Sequence, residues 1–114
     1  MHGGIEWLVD ASGCSPTRLR DRSAVLGVLD RIVDEMRLNV VGSTWKAFPD
    51  PGGITAMYLL AESHLTIHTF PETGTATLNT YCCRPRKPAE WDVLLRELLG
   101  ATRVDVRELS RGDA

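Results

Sequence analysis

No apolar run in the 114-residue chain approaches the ~20 residues that span a bilayer, so a membrane-spanning helix is not expected. The opening stretch, MHGGIEWLVD, lacks a basic region followed by an apolar one, so a secretory signal is not expected either. Basic charge is short as well: 13 Lys and Arg stand against 15 Asp and Glu, a net charge of −2. A phosphate backbone as main partner would favour a basic surface, so nucleic acid is not an expected partner. Cysteine is sparse and odd in number, three in all, with Cys82 and Cys83 adjacent. That pattern argues against a disulfide framework and suits a reduced, cytoplasmic setting. Repeats, low-complexity tracts and linkers are absent from the sequence, which points to a single domain over residues 1–114.

What is there is an ordinary globular balance, 43% apolar and 25% charged. A chain this short buries one small core, so a second copy is the simple candidate for covering leftover apolar surface. Ile5, Trp7 and Val9 alternate with Glu6, Leu8 and Asp10 and predict a strand, broken at Gly13 to Pro16. Val25, Val28, Leu29, Ile32, Val33 and Met36 share one face of a helix predicted over Asp21 to Leu38. NVVGSTWKAF and GITAMYLLA read as strands around the breaker PDPGG, and SHLTIHTF and TATLNTYCC as strands around PETG. A second helix is predicted over Pro88 to Leu99, with Pro88 in its first turn, Trp91, Leu94, Leu95 and Leu98 as its apolar face, and Gly100 as its cap. TRVDVREL closes the chain as a strand. The order β-α-β-β-β-β-α-β predicts an α+β, two-layer sandwich. Its sheet is mainly antiparallel, both helices lie on one face, and the sheets of two copies face each other in a dimer.

The hairpin around PETG concentrates the reactive groups. With Phe70 and Thr75 as its closing pair, position 62 or 63 falls opposite Cys83. Opposed side chains lie roughly 5 Å apart, so Ser63 and Cys83 are expected to be near neighbours. A slip of one residue would reverse the facing of one strand. His64 and His68 share a face but stand about 13 Å apart along a strand, too far to chelate one metal. Cys82 and Cys83 point to opposite faces, so no metal site is expected. A serine hydrolase would want a strand-turn-helix elbow, which Ser63 lacks. From the residues alone two readings stay open. Either Ser63 and Thr66 bond locally and His68 is a satisfied half-buried histidine, or the strand carries chemistry.

The stretch LLAESHLTIHTFPE closely resembles the central motif of the small prokaryotic S-adenosylmethionine decarboxylases, pyruvoyl enzymes made as self-cleaving proenzymes. GSTWKAF resembles that family's strand ending in Phe, GITAMYLLAES its strand leading to the cleavage serine, and RVDVRELSRG its last strand and tail. YCC falls where the family has its catalytic cysteine. The resemblance implies autocatalytic cleavage at Glu62–Ser63 into residues 1–62 and 63–114, started by attack of the Ser63 hydroxyl on the Glu62 carbonyl. Ser63 would become a covalent pyruvoyl group that forms a Schiff base with the substrate amine and serves as electron sink. His68 would assist processing, with Thr55 in support where the family usually has serine, and Cys83 would be the general acid. Phe48 would stack on adenine and Glu72 would hold the ribose hydroxyls. The family's duplicated relatives suggest a site between two sheets, so both protomers of a dimer would contribute.

Some positions depart from the family pattern. Lys46 stands where a histidine typically follows the aromatic residue, and NTYCCRPRK replaces an acidic-residue, Phe-Thr-Cys-Gly pattern, bringing in Asn79, Cys82, Arg84 and Arg86. The expected function is S-adenosylmethionine decarboxylation, supplying the aminopropyl donor for spermidine synthesis. The alternative is a pyruvoyl-dependent ornithine or arginine decarboxylase, whose substrate would want an acidic partner such as Glu6, Asp10 or Asp50. A third reading is an unprocessed regulatory or binding homologue.

Overall fold

The structure, a computed structural model, describes residues 3–112; the first two and last two residues of the expected domain lie outside the described residues. The elements are β1 (Gly4–Ser12), α1 (Pro16–Leu19), α2 (Arg22–Met36), β2 (Val40–Ala47), β3 (Ile54–Leu60), β4 (His64–Phe70), β5 (Thr75–Cys82), α3 (Trp91–Leu99) and β6 (Arg103–Arg111). The six strands form one sheet in the order β2-β3-β4-β5-β1-β6. Every neighbouring pair is antiparallel, so the expected α+β class and sheet type hold.

Period-two alternation sorts the sheet into two unlike faces. Trp7, Val9 and Ala11 of β1, Ala56, Tyr58 and Leu60 of β3, Leu65 and Ile67 of β4, and Ala76 and Leu78 of β5 are buried in one core with the helices. From α2 come Val25, Val28, Leu29, Ile32 and Met36, with Val33 partly buried. The Tyr58 hydroxyl donates to Asp30 Oδ1 at 2.5 Å, fastening α2 to β3. Burial, then this hydrogen bond and the Asp30 charge, hold the Tyr58 pKa above its usual value. Arg31 bridges Glu35 at 2.8 Å and Glu97 at 2.7 Å, and so ties α2 to α3.

Two helix expectations need correcting. Ser15 caps a short helix where the residue pattern suggests only a break: its hydroxyl accepts from the Arg18 amide, and Pro16 takes the first turn. The second long helix begins at Trp91, not Pro88. The Glu90 amide donates to Glu35 Oε1 at 2.8 Å, so the preceding residues are tied to α2 and not coiled into α3. Its buried face runs through Trp91, Leu94, Leu95 and Leu99, with Leu98 only partly covered, and Gly100 caps it at φ 71°.

The opposite sheet face carries Glu6, Asn79, Tyr81, His64, His68, Thr55, Met57 and Leu59 by the strand registers. It stays open among the described residues: Leu59 is 60% exposed, and Met57, Phe70 and Leu109 are exposed elsewhere on it.

Candidate active site

The chemistry-bearing residues lie in two patches, one at the β3–β4 turn and one at the far end of the same strands. Leu59 pairs with His64, and the Leu60 amide donates to the Ser63 carbonyl at 2.9 Å. Ala61 and Glu62 therefore form a two-residue loop, and the Glu62–Ser63 bond sits at its exit. The Ala61 amide donates to the Asn39 carbonyl at 2.8 Å, and Glu62 Oε2 lies 2.5 Å from Arg84 Nε. Glu62, Ser63, Cys82, Cys83, Arg84 and Arg86 border a small cavity of about 30 Å³. That volume holds one or two waters.

The β4–β5 register runs from Phe70↔Thr75, the closing pair expected from sequence, to His64↔Tyr81. Continued by one step, it sets Ser63 across from Cys82, and by a second step Glu62 across from Cys83. The direct partner of Ser63 is thus Cys82, and Cys83 joins it by lining the same cavity. Cys82 belongs to the core at 2% exposure, while Cys83 is half-buried. Burial pushes the Cys82 thiol up; Cys83 adds to this, while the Arg86 charge and a hydrogen bond with Ser63 oppose it.

The second patch gathers Thr55, His68, Phe48 and Glu72. Thr55 pairs directly with His68, and Thr55 Oγ1 lies 3.0 Å from His68 Nδ1. Phe48, Thr55, His68, Phe70 and Glu72 line a cavity of about 300 Å³, within the range of small-ligand sites. Its floor depends on a close approach: a Cβ on Gly53 would collide with the Thr69 carbonyl oxygen. The buried Thr69 hydroxyl accepts from the Ile54 amide at 2.9 Å and donates to the Leu19 carbonyl at 2.8 Å, which pins this end of the sheet to α1. Lys46 Nζ sits 5.1 Å from the centre of the Phe48 ring. Five strand positions separate Ser63 from His68, about 16 Å. One chain therefore holds the two patches apart.

The family model for S-adenosylmethionine decarboxylase matches residues 5–112. The chain belongs to the S-adenosylmethionine decarboxylase family. It is 32% identical over 111 residues to the S-adenosylmethionine decarboxylase proenzyme of Picrophilus torridus, covering 96% of this chain and 84% of that one. To the proenzyme of Thermoplasma volcanium it is 35% identical over 112 residues, covering 96% and 85%. The solved structure of the Aquifex aeolicus adenosylmethionine decarboxylase superposes with a TM-score of 0.82 at 28% identity, over 99% of this chain and 93% of that one.

In this member of the S-adenosylmethionine decarboxylase family, a polar network lies between the two patches on the open face. Arg111 Nη1 donates to Glu6 Oε1 at 2.6 Å, Asn79 donates to Glu6 Oε2, and Asn79 Oδ1 lies 3.0 Å from His64 Nε2. The His64 and Tyr81 rings stack at 5.8 Å, and the Arg111 guanidinium lies over Tyr81. Burial works to raise the Glu6 pKa, but hydrogen bonds from Asn79 and Arg111, with the charges of Arg111 and His64, outweigh it and lower the value. Sequence reasoning singles out Glu6 and Asn79 separately; the structure bonds them directly, and Arg111, 105 positions from Glu6 in the chain, holds the other carboxylate oxygen. Asp10 is exposed on β1 and Asp50 in the β2–β3 loop, and neither lines the 300 Å³ cavity. No group of three or more metal-ligating side chains converges among the described residues.

Proposed function

We propose that the chain is a cytoplasmic proenzyme that cuts itself between Glu62 and Ser63 and then decarboxylates S-adenosylmethionine. The observation that carries this reading is the division of the site. The turn patch supplies the bond to be cut and two thiols; the far patch supplies Thr55, His68 and a ligand-sized cavity. Two copies packed through their open sheet faces, turned about an axis near the Glu6–Asn79 network, would set the turn patch of one against the far patch of the other. The exposed Met57, Leu59, Phe70 and Leu109 favour such packing.

In the composite site, Ser63 Oγ bonds to the Glu62 carbonyl carbon, the peptide C–N bond breaks, and the hydroxyl proton ends on the Ser63 nitrogen. His68 of the second copy moves this proton, with Thr55 holding its ring. Loss of the Ser63 Cα proton then expels Glu62 as a carboxylate. Tautomerisation and attack by one water release ammonia and leave a pyruvoyl group at position 63. When present, that group supplies the electron sink for the carbon losing carbon dioxide. Phe48 stacks on the adenine, Glu72 accepts from the ribose hydroxyls, and Cys83 returns a proton to the substrate carbon. The product is the aminopropyl donor for spermidine synthesis.

An ornithine or arginine substrate is less well served. Of the acidic partners considered for a distal cation, Glu6 is already engaged by Arg111 and Asn79, Asp10 is on β1 outside the cavity, and Asp50 is exposed between the lining residues Pro49 and Pro51 without lining the cavity itself. Denaturing mass spectrometry of the purified protein tests the processing. Fragments 1–62 and 63–114 are expected, the second beginning with pyruvoyl, and a chain that stays whole would point to the unprocessed regulatory homologue. Carbon dioxide release from S-adenosylmethionine, ornithine and arginine, compared side by side, tests the substrate.

A further inference from the structure

We infer that Arg84 positions the bond to be cut, an inference that rests on the proposed cleavage between Glu62 and Ser63. Two-residue hairpin loops favour turns with positive φ, because those match the twist of the flanking strands. The loop here is Ala61–Glu62, with no glycine or asparagine, and Arg37 is the one non-glycine residue with positive φ among those described. The loop therefore lacks the turn chemistry that would support it from within, and its ties come from outside. One is the Asn39 carbonyl, which takes the Ala61 amide at 2.8 Å. The other is Arg84, whose Nε lies 2.5 Å from the Glu62 carboxylate.

Arg84 is suited to this because its own segment is anchored. Arg86 Nη1 donates to the carbonyl of Arg37, the left-handed cap of α2, at 3.2 Å. The Glu90 amide donates to Glu35 on the same helix at 2.8 Å. Residues 84–90 are thus stapled to the end of α2, and Arg84 reaches from that staple across the small cavity to Glu62. Asn39, the other tie, follows the same helix end. Both supports of the loop therefore trace to the C-terminus of α2. The Glu62 side chain takes no part in bond breaking; held at its tip, it limits rotation of the residue whose carbonyl Ser63 must reach.

Following cleavage of freshly folded chain by intact mass tests this. Exposed ion pairs are worth up to about 1 kcal/mol, so Arg84→Ala should slow cleavage by about two- to fivefold. Arg84→Lys should fall between, and Arg84→Glu should be slower than Arg84→Ala. The exchanged pair Glu62→Arg with Arg84→Glu should recover much of the wild-type rate, which a general loss of structure would not allow. Wild-type chain that cleaves no faster than Arg84→Ala, or an exchanged pair no faster than Arg84→Glu alone, overturns the inference and leaves the cleavage reading standing. Wild-type chain that never cleaves overturns both.

Discussion

The adjacent cysteines show most clearly what single residues contribute. Cys82 is the last residue of β5 and is buried, whereas Cys83 lies just past the strand and is half-buried. Cys82 packs in the core and meets Ser63; Cys83 reaches the cavity from the edge. Cys83→Ala should leave both fragments in place and lower carbon dioxide release by about 10²-fold or more, the usual worth of a placed proton donor. Cys82→Ala should instead slow cleavage and lower the melting temperature by several degrees, as truncation of a core side chain does. Equal loss of turnover from both, with cleavage intact in both, would contradict this division of roles between the two thiols. Glu6 makes a pH prediction. Its folded pKa lies below the ordinary 4.5, so the unfolded chain binds more protons as the solution is acidified. Its contribution to stability is present above about 4.5 and is lost as pH falls through the folded value. Wild type should therefore lose more melting temperature on acidification below pH 5 than Glu6→Gln. Parallel curves for the two proteins would show that the Glu6 carboxylate adds nothing to stability.

At the scale of elements, the sequence carried the sheet well. Alternation of Ile5, Trp7 and Val9, and proline- and glycine-bearing turns at PDPGG and PETG, named the strands, and the Phe70↔Thr75 closure was legible because the turn between them is short. A one-residue ambiguity at the other end of the hairpin was not, since turn composition alone does not say whether position 62 or 63 meets Cys83. Helix α1 was missed although Ser15 and Pro16 form a cap signal, because four residues carry no periodicity. The strand rise that keeps His64 and His68 from sharing a metal also keeps Ser63 from His68; that second consequence becomes plain only with two separate cavities in view. Thr69 is the fastener between elements at the far patch. Thr69→Val leaves the buried Ile54 amide without its partner, a loss of about 1–3 kcal/mol. For a chain of this size that lowers the melting temperature by at least about 4 °C. An unchanged melting curve would show that the Ile54 amide finds another acceptor.

For the whole molecule, the decisive property is that one chain holds Ser63, just before β4, and His68 within it about 16 Å apart. The open face carries Thr55 and His68 together with exposed Met57, Leu59 and Phe70, with the Glu62–Ser63 turn at its rim, while the helices cover the other face of the central strands. A composite site built by two copies accounts for both features at once. Its most direct test is co-expression of Ser63→Ala and His68→Ala chains bearing tags of different mass, with denaturing mass spectrometry of the purified mixture. Each variant alone should stay whole. Together, the His68→Ala chain should be cut at Glu62–Ser63, because it keeps its own serine and borrows the histidine of its partner, while the Ser63→Ala chain should remain intact. If the mixture stays uncut while wild type is cut, or if His68→Ala cuts itself unaided, the composite site is contradicted.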